Sequence, residues 1–291
     1  MARISFADLV RNTGVNYAVE YKMLLDLLRG SAVMIFSDKV LRGDIFSRED
    51  ERRSFMDLCN EHFEKFPIKL RGTCRSLSDF NQYHNYYPES GNDSDLDSLL
   101  LFCEYFMTFS CALQVVINKD GYYSREKIVN SHIIQHLKIL VDKLHHKVVA
   151  EGPFARLVPE DVVVAEVASK LPKDVSIKTF LYRHRSMAGN IEKKKDVLLA
   201  LGQQLESKRS DIRDSALENA IFAILNNMNI RHNNVDPKDS AKYHAFVAAM
   251  SPKDLEGWYD RLYEMMLAAF AKLDAAQGIA LYEANKKAIS S

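Results

Sequence analysis

Residues 99–116, LLLFCEYFMTFSCALQVV, are apolar on almost every side of a helical projection, and they decide how the rest of the chain is read. Ser94, Asp95 and Asp97 stand just before or within the first turn, where a helix start favours side-chain oxygens and negative charge. A helix with no polar face must be surrounded, so the segment predicts the centre of a bundle. Carried on to Ile117, it approaches the length of a membrane span, which needs roughly 18–20 uninterrupted apolar residues. Glu104 and Gln114 interrupt it, and the expectation is a buried core helix with no membrane contact.

Outward from this segment, helical periodicity recurs with start and stop signals. Ser47 and Asp50 open a stretch with Phe55, Leu58, Cys59, Phe63 and Phe66 on one side, ended by Pro67. Ser124 heads a stripe of Val129, Ile133, Leu137, Leu140, Val141, Leu144 and Val148, ended by Gly152-Pro153. Asn190 precedes Val197, Leu198, Leu201 and Leu205, and Ser215 with Glu218 has the pattern of a capping box before Ile221, Ile224, Leu225 and Met228. Ser251-Pro252-Lys253-Asp254 places a capping serine, a first-turn proline and an acid in order, and predicts a helix to about Leu273. Residues 68–93 read as a long polar connection. Phe154–Val158 and Val175–Tyr182 alternate like short strands, while Asp161–Lys170 fits helix or strand. The expectation is a mainly α protein: an N-terminal helical region 1–152, a junction with a small β or irregular insert at 153–186, and a C-terminal helical bundle 187–291.

Composition narrows the function. The chain has 291 residues, 47% of them hydrophobic, enough to bury a core in each region. Lys plus Arg equals Asp plus Glu at 39 each, so no whole-chain field gathers polyanions or an anionic membrane. Cys59, Cys74, Cys103 and Cys111 form no close pair, which fits reduced thiols in apolar surroundings. Asp8 falls where an export signal would have its apolar centre, so a cytoplasmic location is expected. The glycine and serine arrangements of hydrolase elbows, phosphate-binding loops and dinucleotide turns do not occur, and no cofactor is expected.

Three polar clusters have a structural explanation. Asp93, Asp95, Asp97 and Glu104 imitate calcium-loop spacing, but Ser98 occupies the position that needs glycine. His132 and His136 are four apart, yet no acid accompanies them as in metalloprotease helices, and His145 and His146 are too far along one helix to join them, so no metal is expected. Arg183, His184 and Arg185 with Lys193, Lys194 and Lys195 fit a solvated basic surface better than a phosphate site.

The remaining cluster is Asn226-Asn-Met-Asn-Ile-Arg-His-Asn-Asn234-Val-Asp-Pro237. Asn233 or Asn234 suits a left-handed helix end, Arg231 and His232 suit the negative end of the dipole, and Pro237 forbids continuation. The earlier asparagines exceed what a cap requires and predict a hydrogen-bond network. From about 190 to 275, the helix ending in Ile230-Arg231-His232-Asn233-Asn234, the polar loop and the final helix from Ser251 resemble the HEPN domains of prokaryotic abortive-infection and toxin proteins. That resemblance implies a helical bundle, often a homodimer, in a defence or stress context. It also implies a metal-independent ribonuclease centre of an arginine, a polar residue and a histidine. Arg231 and His232 take the first two places. Val235, Asp236 and Pro237 stand where the histidine belongs, and His244 is the nearest one downstream. The candidate catalytic residues are therefore Arg231, His232 and His244, and the candidate binding surface is Asn227, Arg231, His232, Asn233 and Asn234. The expectation is a homo-oligomeric binding scaffold with an RNA or protein partner; the alternative is the ribonuclease.

Overall fold

The computed structural model describes residues 14–29, 54–88, 95–119, 132–212 and 214–289. It is 70% helical, with twelve α-helices and one two-stranded antiparallel sheet among these residues, as a mainly α reading requires. Two compact units divide at Leu157 and Val158.

The first unit holds α1 (Tyr17–Arg29), α2 (Phe55–His62), α3 (Ile68–Arg71), α4 (Leu77–Tyr83), α5 (Leu96–Lys119), α6 (His132–Lys143), β1 (His146–Glu151) and most of β2 (Phe154–Pro159). Helix α5 is its axis, with α1, α2 and α6 packed against it. Leu99, Phe102, Cys103, Phe106, Phe109 and Leu113 are all buried. By length and composition Leu96–Val116 is apolar enough to cross a membrane, and 78% of its most apolar window is buried inside the unit.

The acid inside that helix has a partner. Glu104 is 3% exposed and accepts the Leu157 N–H at 2.7 Å, and Thr108 Oγ1 accepts the Ala155 N–H at 3.0 Å. Helix residues four apart rise about 6 Å and strand residues two apart about 6.6 Å, so the two acceptors match the two donors. Helix α5 thereby pairs the side of β2 that faces away from β1, which a two-stranded sheet otherwise leaves open.

Several sequence expectations change here. Residues 68–93 contain α3 and α4, the latter capped by Ser76 on the Asp79 N–H at 3.0 Å. Helix α2 starts at Ser54, whose hydroxyl and backbone exchange hydrogen bonds with Asp57 in a complete capping box. Ser47, Asp50, Ser94, Ser124 and Val129 lie outside the described residues. Helix α6 ends at Lys143, because His145 turns left-handed at φ 54°, and Val148 belongs to β1 instead. Val148 and Val149 are β-branched, which suits a pleated surface over a helix end.

The second unit holds α7 (Val162–Ser169), α8 (Lys173–Leu181), α9 (Ile191–Glu206), α10 (Ser215–Asn227), α11 (Ala245–Ala248) and α12 (Pro252–Ile289). Helix α12 is the axis, and α7, α9 and α10 pack on it. Tyr259, Leu262, Tyr263, Met266 and Leu273 meet Leu198, Leu201, Leu205, Ile221 and Leu225 in one core. Asn190 caps α9 through the Lys193 N–H, and Ser251 caps α12 through the Asp254 N–H, both as read from the sequence.

Val175–Tyr182 is helical instead of extended. Its buried residues are Val175, Thr179 and Tyr182, spaced four and three apart, so the apparent alternation concealed a helical stripe. The cap of α10 is Asp214, not Ser215, with its carboxylate on the Leu217 N–H at 3.0 Å. Helix α12 continues to Ile289, well beyond Leu273, the last buried one among its described side chains.

Replacing Glu104 by Leu leaves the Leu157 N–H buried without an acceptor, which costs about 1–3 kcal/mol. The expected result is a lower urea midpoint by circular dichroism, with Thr108→Val shifting it in the same direction. The Asp214 carboxyl is held below its ordinary range by Lys272 and the α10 N-terminus. A depressed pKa stabilises the fold above the ordinary carboxylate range, and that support is lost as pH falls through it. Thermal melts followed by Trp258, the single tryptophan, should fall less steeply from pH 6 to 3 in Asp214→Asn.

Candidate functional site

The asparagine-rich segment forms a closed loop on the end of α10. The helix stops at Asn227, and the Met228 N–H still reaches the Ile224 carbonyl at 2.9 Å. Asn229, not Asn233 or Asn234, takes the left-handed conformation, at φ 59°. The Arg231 N–H then folds back onto the Leu225 carbonyl at 2.9 Å, satisfying one of the carbonyls a helix end leaves open. Ile230, between them, is buried and plugs the turn into the core.

Asn234 closes the loop. It is 1% exposed; its Oδ1 accepts the Asn229 N–H at 2.9 Å and its Nδ2 donates to the Lys242 carbonyl at 2.7 Å. Its own carbonyl accepts the His244 N–H at 2.9 Å. Residues 234–244 thus leave and return at one point, as in a compact Ω-loop. Tyr259 of α12 supports the neck from below, its hydroxyl lying 3.2 Å from the Met228 carbonyl and 3.3 Å from that of Asn229.

Arg231 faces a different set. Its guanidinium is paired with Glu206 at the end of α9, lies 3.5 Å from Asn226 Oδ1, and sits over the Phe222 ring at 5.4 Å. Arg209 covers the same ring at 4.3 Å and is paired with Glu218. Gly202 makes room for this arrangement. A Cβ there would lie 3.0 Å from Leu225 Cδ1 and 3.7 Å from Arg231 Nη2.

The sequence candidates therefore separate. Arg231 belongs to a neutralised cluster with Glu206, Asn226 and Phe222, while Asn234 is a structural lock. His232 is half-buried, and Asn227, Asn233 and His244 are exposed. The loop surface also carries exposed apolar side chains that sequence reasoning passed over: Val235, Tyr243 and, at 69% exposure, Phe246. Glu206 was equally invisible, because it meets Arg231 only through the packing of α9 on α10.

Elsewhere the polar clusters resolve into structure. Arg183 is bound by Glu264 at 2.6 Å and Asp161 at 3.4 Å. Lys194, buried, is bound by Asp260 at 2.6 Å and Glu256 at 2.8 Å and lies over the Tyr182 ring. The basic run is thus partly consumed by carboxylates of α12. His136 pairs with Glu20 at 3.0 Å, joining α6 to α1, and Asp95 accepts the Ser98 N–H at 2.7 Å as a helix cap. Asp93 and the His132 side chain lie outside the described residues. Among the described residues no group of three or more His, Cys, Asp or Glu is placed to hold a metal ion. Burial pushes the Cys59 thiol far up, which leaves it protonated and unreactive.

No family model, curated protein or solved structure matches this chain.

Asn234→Ala removes an acceptor and a donor from two backbone groups at the loop's half-buried neck, at about 1 kcal/mol each. Limited trypsin digestion should then cut at Lys238 and Lys242 many times faster than in the unaltered protein, while Asn233→Ala leaves the rate unchanged.

Proposed function

We propose that the second unit is a HEPN-like recognition scaffold, in a defence or stress setting, that binds a partner through the closed loop and does not cleave RNA. The carrying observation is that the Arg231 guanidinium is already held by Glu206, with Asn226 and the Phe222 face completing its surroundings. A cation that stabilises a phosphate transition state must meet developing negative charge, and here a carboxylate occupies that place. The loop is also organised before any partner arrives, since Asn234 fixes its neck, and a rigid surface loses less entropy on binding. Tyr243 and Phe246 provide exposed aromatic area of the kind that anchors interfaces. The defence setting rests on the sequence resemblance of residues 190–275.

One observation favours the ribonuclease instead. Closure of the loop returns the His244 backbone to within hydrogen-bonding distance of Asn234, two residues beyond His232. In that mechanism Arg231 would leave Glu206 for the phosphate, and His232 or His244 would take the proton of the attacking ribose 2′-hydroxyl.

The deciding experiment incubates labelled RNA in chelator with the unaltered protein and with Arg231→Ala, Glu206→Gln and His244→Ala. The scaffold reading expects no cleavage in any, including Glu206→Gln, where Arg231 is released. Cleavage by the unaltered protein that disappears in Arg231→Ala and His244→Ala would overturn it.

A further inference from the structure

Helix α12 outruns its own core. Leu273 is the last buried one among its described side chains, and the helix continues to Ile289, about 24 Å further at 1.5 Å per residue. Helical segments draw most of their stability from packing an apolar face, and the described side chains from Gln277 to Lys286 are all exposed. Ala275, Ile279, Tyr282 and Lys286 recur at alternating intervals of four and three, the spacing of a coiled-coil seam. All four are exposed, Ile279 at 59%.

The base of that seam borders a groove of about 600 Å³, lined by Asp211, Ile212 and Asp214 on one side and by Lys272, Ala275 and Ile279 on the other. Two carboxylates therefore lie beside Ala275. Asp214 is paired with Lys272, while Asp211 makes one long contact with Ser210 at 3.4 Å. Lys286, at the far end of the seam, is held weakly by Glu283 at 3.6 Å. The acidic end and the basic end of one seam are complementary only if a second seam runs the opposite way.

We propose that two copies of this chain pair through the exposed segment of α12, antiparallel and two-fold symmetric. Ile279 of each copy packs against Tyr282 of the other, and Lys286 of each lies level with Ala275 of the other, facing the Asp211 carboxylate. This register places apolar groups at the centre and opposite charges at both ends. A helix pair of this length is at the small end of specific interfaces, so the association is reversible and concentration-dependent. It is separate from the loop at Arg231–Phe246 and stands whether or not that loop binds a partner.

Sedimentation of the full chain over a range of concentrations tests it. The expected result is a monomer–dimer equilibrium, weakened at least tenfold by Ile279→Asp and by Lys286→Glu, with Asp211→Lys restoring the latter. Orientation is read by oxidation. Ala275→Cys combined with Lys286→Cys should cross-link two copies, whereas Ala275→Cys alone, with the exposed native Cys111 present in both, should not. The substituted positions are exposed, and an unchanged Trp258 melt shows that the variants fold. A chain that stays monomeric at every concentration overturns the proposal, as does a dimer indifferent to Ile279→Asp. Cross-linking through Ala275→Cys alone overturns the antiparallel register.

Discussion

A backbone N–H withdrawn from water must find an acceptor, and in both units a buried side chain supplies one where secondary structure does not. In the first unit Glu104 and Thr108 receive the outward N–H groups of β2, so the hairpin is fastened to the central helix instead of ending in an open edge. In the second unit Asn234 uses both ends of its carboxamide and its own carbonyl to close a loop that has no ladder of its own. Helix α5 can be almost wholly apolar because Glu104 and Thr108, polar groups inside it, serve these partners.

Charge in the second unit follows a similar economy. Lys194, Arg183, Arg209, Arg231 and Lys272 are each bound by a carboxylate, all but Arg209 across segments that are distant in sequence. Four of the cations also cover aromatic rings: Lys194 over Tyr182, Arg183 over Tyr263, and Arg209 and Arg231 over Phe222. The equality of acids and bases in the composition is therefore reproduced locally, pair by pair.

The helices with strong caps were legible in advance, and those with ambiguous periodicity were not. Asn190 and Ser251 act where their sequence patterns place them, since capping depends only on residues three apart. Val175–Tyr182 misled because eight residues with mixed polarity fit a two-residue and a 3.6-residue period almost equally well. The end of α6 misled because Val148 continues the stripe of Leu144 at helical spacing, and only the left-handed turn at His145 diverts it into β1. The asparagine cluster was recognised as a network, but its members exchanged roles: Asn229 turns the chain and Asn234 locks it.

From its sequence alone this protein is mainly helical, neutral overall, and unusual in polarity at one place, 226–237. Those properties depend on the order of side chains along a helix and on composition, which are local or additive quantities. Which carboxylate meets Arg231, what Glu104 is for, and where α12 leaves its core depend on segments brought together from tens of residues apart. Such meetings are selected by the simultaneous burial of many apolar groups, and no short window of sequence contains them.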